Sequence, residues 1–227
     1  MIWCRTAVFA IAAAALLHAA PSLAQSAAPP SRLELGVGAL WVGGESLGAV
    51  AAAESRGAGG TSTLFNTSTE LGSSTGVEGR IAVRVSRAFS AEAAASYMKP
   101  QLRIAISGDV EGAASITATE AIHQFMVGGR VIWRIPAKRW SPRFAPFAMG
   151  GAGYLRQLHE AGTLADTGRY YEVGGGVNAL LMSRRRWRAK GAGIRADVRA
   201  VVRAGGVAFD SGSNASPAAG VSAFVRF

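Results

Sequence analysis

From Val77 to Ser86 the chain alternates strictly, with Val77, Gly79, Ile81, Val83 and Val85 on one parity and Glu78, Arg80, Ala82, Arg84 and Ser86 on the other. A period of two puts successive side chains on opposite faces of a strand. A helix through the same residues would bury its three charges among apolar groups. The division recurs along the chain. Ile194, Ala196, Val198, Ala200 and Val202 oppose Arg195, Asp197, Arg199, Val201 and Arg203, and Phe125, Val127, Gly129, Val131 and Trp133 oppose Gln124, Met126, Gly128, Arg130 and Arg134. Tyr171, Val173, Gly175, Val177, Ala179 and Leu181 stand against Glu172, Gly174, Gly176 and Asn178. A soluble sandwich or lipocalin-like barrel would turn the charged faces to water. A membrane barrel does the reverse, and lipid demands that it close, because an open edge leaves backbone groups unpaired.

The remaining segments fit the second arrangement. Leu33–Val42 puts Leu33, Leu35, Val37, Ala39 and Trp41 on one face and Glu34 on the other. A strand from Ala91 to about Ser107 sets Ala93, Ala95 and Tyr97 against Glu92, Ala94 and Ser96, with Pro100 breaking its ladder at a bulge or an edge beyond the membrane. Phe144 to about Gln157 is a Gly-rich strand in which Arg156, on the parity of Gly150 and Tyr154, is read as facing inward. Residues 43–74 lack a trustworthy period and read as a long hairpin reaching beyond the bilayer with its tip near Ser55 to Gly60, or as a disordered loop. Loops are expected at Gly108 to Gly112, Glu160 to Gly168 and Ala204 to Pro217. The count is about eight strands, an even number, with no helix between them. The fold class is therefore all-β: an up-and-down antiparallel transmembrane β-barrel.

Both ends of the chain agree. Met1 to Ala24 carries Arg5, an apolar run from Ala7 to Leu17 and Ser22-Leu23-Ala24, which reads as a cleaved signal peptide (1–24), with an N-terminal anchor as the alternative. A short linker (25–32) precedes the barrel domain (33–227). The one cysteine, Cys4, lies in the signal, so the mature chain has no thiol for disulfide, metal or nucleophile. Hydrophobic residues make up 49% of the chain, yet beyond the signal no apolar run is long enough for a membrane helix, which is what alternating membrane strands produce. Val221, Ala223, Val225 and Phe227 form the apolar face of a final strand ending on phenylalanine. Such a strand resembles the C-terminal assembly signal of Gram-negative outer-membrane barrels. With the export signal, the alternating strands and the Gly-rich fifth and sixth strands, the mature chain resembles small OmpA-like and OmpX-like barrels. The resemblance implies an outer-membrane location, a porin-like architecture and insertion by the barrel-assembly machinery; the peptidoglycan-binding domain found in some such proteins is not expected, since no long segment follows Phe227.

Function is less sharply written. The inward set includes Glu34, Glu78, Arg80, Arg84, Glu92, Arg130, Arg134, Arg156, Glu172, Arg195, Asp197, Arg199 and Arg203. An eight-stranded barrel is only wide enough for its own side chains, so a lumen filled by Arg–carboxylate pairs is expected, with a narrow anion-favouring pore as the alternative. The expected role is structural, in envelope integrity. A lipid-modifying enzyme is the rival class, but beyond the signal the histidines are His123 and His159 alone, with no serine motif around either, so no catalytic residue is assigned. No metal-ligand cluster and no cofactor motif is present. The formal net charge of +10, reduced to +9 once Arg5 leaves with the signal, would suit nucleic acid, but export points to lipid phosphates instead. Lys138 and Arg139 beside Trp140, and Arg184, Arg185 and Arg186 beside Trp187, are the candidate lipid-phosphate contacts on the periplasmic side. A monomer is the expected working unit.

Overall fold

A computed structural model describes residues 32–56, 60–108, 114–136, 143–159, 164–183, 189–205 and 214–227. The segment read as a signal peptide, most of the segment read as a linker and the basic connections around Trp140 and Trp187 lie outside the described residues. Every regular element within them is a strand: β1 (Leu33–Val42), β2 (Glu45–Arg56), β3 (Gly60–Leu71), β4 (Ser74–Arg84), β5 (Phe89–Met98), β6 (Gln101–Ser107), β7 (Ile116–Arg134), β8 (Phe144–His159), β9 (Ala165–Ser183), β10 (Gly191–Gly205) and β11 (Asn214–Arg226). Eight of them close a ring, β1-β4-β5-β7-β8-β9-β10-β11 and back to β1, with every pairing antiparallel. The last strand is paired on both sides: the Phe227 amide donates to the Leu33 carbonyl at 2.8 Å and the Lys190 amide to that of Arg226 at 2.7 Å. That pairing removes the open edge and the fraying expected of a chain terminus.

The other three strands extend the wall. β2 pairs with β3, β3 with β6, and β6 with the first residues of β7. β1–β2, β3–β4 and β5–β6 are each one rising or falling strand interrupted at the same level, by Gly43-Gly44, Gly72-Ser73 and Lys99-Pro100. Pro100 lacks the donor a continuous ladder would need. Above the break, Leu47, Leu71, Leu102 and Ile122 pack into a small apolar cluster that holds the flap together. The hairpin read from residues 43–74 is therefore present, its two strands paired out to Arg56 and Gly60. Two expected loops are shorter than read: residues 165–168 already belong to β9 and 214–217 to β11. Both segments are rich in Ala, Ser, Thr and Gly, which carry little amphipathic contrast to mark a strand.

The outer wall of the ring is apolar. Between an upper aromatic level of Trp41, Tyr97, Phe125, Tyr154 and Tyr171 and a lower one of Phe89, Trp133, Phe144 and Phe227, no described residue facing outward is charged. Val37, Val77, Val127, Val131, Val173, Val198 and Val221 remain more than half exposed. Two aromatic levels around an apolar belt are the surface a barrel presents to a bilayer. Both chain ends of the barrel and the short β4–β5 connection lie at the lower level, which is the periplasmic side in such proteins.

Candidate functional site

Because outward positions are apolar, the charges of the same strands are forced into the lumen, where they form layers. In the central layer Arg130 reaches three carboxylates. Its Nη2 donates to Glu78 at 2.6 Å, its Nη1 to Glu92 at 3.1 Å and its Nε to Glu172. Arg199 donates to Glu78 at 2.9 Å, to Glu172 at 3.1 Å and, from Nε, to Asp197 at 2.9 Å. Arg195 reaches Glu92 at 2.7 Å, and Arg80 approaches the same carboxylate at 3.4 Å. Four guanidiniums and four carboxylates thus neutralise one another, and all eight residues are buried. Charge-assisted bonds shared among several partners are the arrangement that offsets the desolvation of so many buried ions.

Room for these long side chains comes from glycines on neighbouring strands. A Cβ at Gly151 would meet Arg130 Cγ at 2.8 Å, one at Gly174 Arg199 Cβ at 2.7 Å, and one at Gly176 Asp197 Cβ at 2.8 Å. The Gly-rich character of β8 and β9 is therefore the complement of the arginines on β7 and β10. Above the ions, Leu40, Val42, Met98, Met126, Leu155, Tyr170, Val201 and Ala218 form an apolar plug. Tyr170 fills the space that Gly153 leaves, its Cζ lying 2.6 Å from where a Cβ would stand. Beside that plug Gln157 donates to Gln124 at 3.0 Å. At the top Glu45 accepts from Arg203 and, at 2.6 Å, from the Ser216 hydroxyl, which ties the flap to β10 and β11.

Below the central layer lies a second apolar group, Ile132, Phe147 and Met149, with Arg195 stacked 4.2 Å from the Phe147 ring centroid. At the periplasmic mouth Arg226 donates to Glu34 at 2.8 Å and stacks on Phe224 at 4.6 Å. Arg84 and Arg134 complete this end of the lumen.

All ten residues read from the sequence as lumen charges face inward. Arg156 does not. It is exposed on the outer wall, because Ala148, Gly150, Ala152 and Tyr154 of the same parity line the lipid belt and β8 carries Arg156 just above it. The inward neighbours on β8 are Leu155 and Gln157. Sequence reading placed Gln124 on the inward face of β7 but missed Glu45, Gln157, Tyr170 and Phe224 as parts of the interior; the parity of Phe224 opposite Val225 was its only signal. Val221, Ala223, Val225 and Phe227 share the outward face of β11. Lys138, Arg139, Arg184, Arg185 and Arg186 fall outside the described residues. The two described histidines are remote from the lumen: His123 Nδ1 is 2.8 Å from the Tyr97 hydroxyl, and His159 at the top of β8 lies 3.0 Å from Glu120 and 3.3 Å from Asp166.

A closed eight-stranded ring with its charges inside and an apolar, aromatic-bounded wall outside defines a transmembrane β-barrel of the bacterial outer membrane. No protein-family model and no curated protein matches the chain. Solved structures do: Neisserial surface protein A, at 11% identity and TM-score 0.48, covers 86% of this chain and 97% of its own. Ail, the attachment invasion locus protein of Yersinia pestis, matches at 8% identity and TM-score 0.39 over 88% of this chain and all of its own. The outer membrane protein AlkL, studied in lipid bilayers, matches at 15% identity and TM-score 0.37 over 92% of this chain and 96% of its own. Likeness at this level carries no inference about activity.

Proposed function

We propose that this barrel is a non-conducting structural component of the cell envelope, held in the outer membrane by its apolar wall and closed by its own side chains. The observation that supports this reading is the neutral central layer, in which Arg80, Arg130, Arg195 and Arg199 are spent on Glu78, Glu92, Glu172 and Asp197. An ion crossing this layer would have to break several charge-assisted bonds at once. The apolar groups above and below add two further barriers to a hydrated ion. Its partners on this reading are outer-membrane lipids, with the assembly machinery engaging the outward face of β11 during insertion. The protein works as a monomer.

Planar-bilayer recording of the purified protein tests the reading. A silent membrane is expected; stable, ion-selective steps would replace a structural role with that of a narrow pore.

A further inference from the structure

Arg80, Arg195 and Arg203 each keep a buried nitrogen without a hydrogen-bond partner, but each reaches a carboxylate, whereas at the periplasmic mouth Arg84 and Arg134 reach none among the described residues. Arg84 on β4, Ser90 on β5 and Arg134 on β7 come from three consecutive strands of the ring. Arg84 is the register partner of Ser90, and Ser90 in turn lies opposite Ile132, two residues before Arg134. All three line one cavity, together with Arg32, Glu34 and Arg226. Arg84 Nε, Arg134 Nη1 and Ser90 Oγ are each buried and each lack a hydrogen-bond partner among the described residues, and Ser90 as a residue is only 2% exposed. Glu34, the one acidic side chain in the lining, is already engaged by Arg226 at 2.8 Å and approached by Arg80 at 3.6 Å. Four guanidiniums therefore surround a single carboxylate.

Buried donors left unmade cost free energy, and like charges held side by side add to it. An oxyanion answers both demands, because a tetrahedral phosphate offers several acceptor oxygens to two guanidinium forks and a hydroxyl. We propose that this mouth binds a small oxyanion of the phosphate class on Arg84, Arg134 and Ser90. The cavity as a whole admits a group about the size of one water. One oxygen of the anion enters, then, while the remainder stays at the opening. That chemistry is shared by free phosphate in the periplasm and by the headgroup of an inner-leaflet lipid bending around the rim.

The test uses protein extracted from outer membranes into maltoside micelles in a phosphate-free chloride buffer. Phosphorus NMR of added inorganic phosphate should show broadening with the wild type. The double variant Arg84→Gln/Arg134→Gln should bind at least about tenfold more weakly, the loss of a charge-assisted bond. Arg156→Gln, on the outer wall, should bind as the wild type does. If free phosphate gives no broadening but phosphatidylglycerol in phosphatidylcholine vesicles raises the unfolding midpoint of the wild type and not of the double variant, the phosphate comes from lipid and the site stands. No response to either source, or an equal response in the double variant, overturns the proposal. Should the double variant fail to fold, Ser90→Ala takes its place, and unchanged affinity in that variant overturns it equally.

Discussion

Arg80 and Arg84 lie on one strand and Arg130 and Arg134 on another, each pair four residues apart, yet the two members of each pair live in opposite electrostatic settings. At the level of Arg80 and Arg130, carboxylates from β4, β5, β9 and β10 match the arginines in number. About 13 Å further along, at roughly 3.3 Å per residue, the arginines outnumber Glu34, and neither Arg84 nor Arg134 forms an ion pair among the described residues. Residue type and parity are the same in both layers. What differs is the complement contributed by neighbouring strands, so an inward arginine can close a lumen at one level and leave it ready for an anion at the next.

Removing a carboxylate from the central layer should have the largest consequence. Glu172→Ala strips a partner from both Arg130 and Arg199, each buried. An uncompensated buried charge costs about 3–5 kcal/mol. Urea unfolding in micelles should show a loss of that order, and a loss within the range of an ordinary surface substitution would mean that water reaches the layer. Next comes the space the ions and the plug need. Gly153→Val drives a side chain into Tyr170 and should destabilise the barrel by about 1–3 kcal/mol. The same change at Gly79, where a Cβ would meet nothing within 4 Å, should cost little by comparison, in the same unfolding assay.

The smallest expected effect lies outside the membrane zone. His159 has its pKa raised above the usual 6.5, chiefly by its hydrogen bond to Glu120, with Asp166 adding to it and burial opposing. Protonation is therefore favoured in the folded state. The stabilisation of the top of β7 and β8 is complete below pH 6.5 and fades as pH rises through the elevated folded value. Proton NMR titration should place the His159 midpoint above 6.5 and Glu120→Gln should lower it; a midpoint at or below 6.5 in the wild type contradicts this.

The layered contrast was only half legible in the sequence. Parity alone assigned Glu78, Arg130, Arg199 and their neighbours to the interior, because lipid enforces a strict division between faces. The partners were not legible. Glu78 and Arg199 are separated by 121 residues, and which charges meet depends on the stagger of strands around the ring, which no local pattern encodes. Arg156 was misplaced because its strand rises past the bilayer, where an outward arginine meets water and headgroups and carries no penalty. β2 and β3 read only as a hairpin without strand bounds or faces for a related reason: from Ala49 to Glu54 the side chains of β2 are largely exposed on both faces, and a strand wet on both sides has no amphipathic pattern to read. Glu45, the acid that fixes this flap to Arg203 and Ser216, was hidden in that stretch.

Arg130→Met and Arg134→Met, compared by urea unfolding in the same phosphate-free micelles, test the distinction between the layers most directly. Arg130→Met strips one partner from each of Glu78, Glu92 and Glu172, leaves the buried central layer one positive charge short, and should lose about 3–5 kcal/mol. Arg134→Met removes a charge that no carboxylate among the described residues pairs and should leave stability unchanged or raise it. Equal losses from the two variants would contradict the account, since they would show that the mouth arginines are as fully compensated as those at the centre.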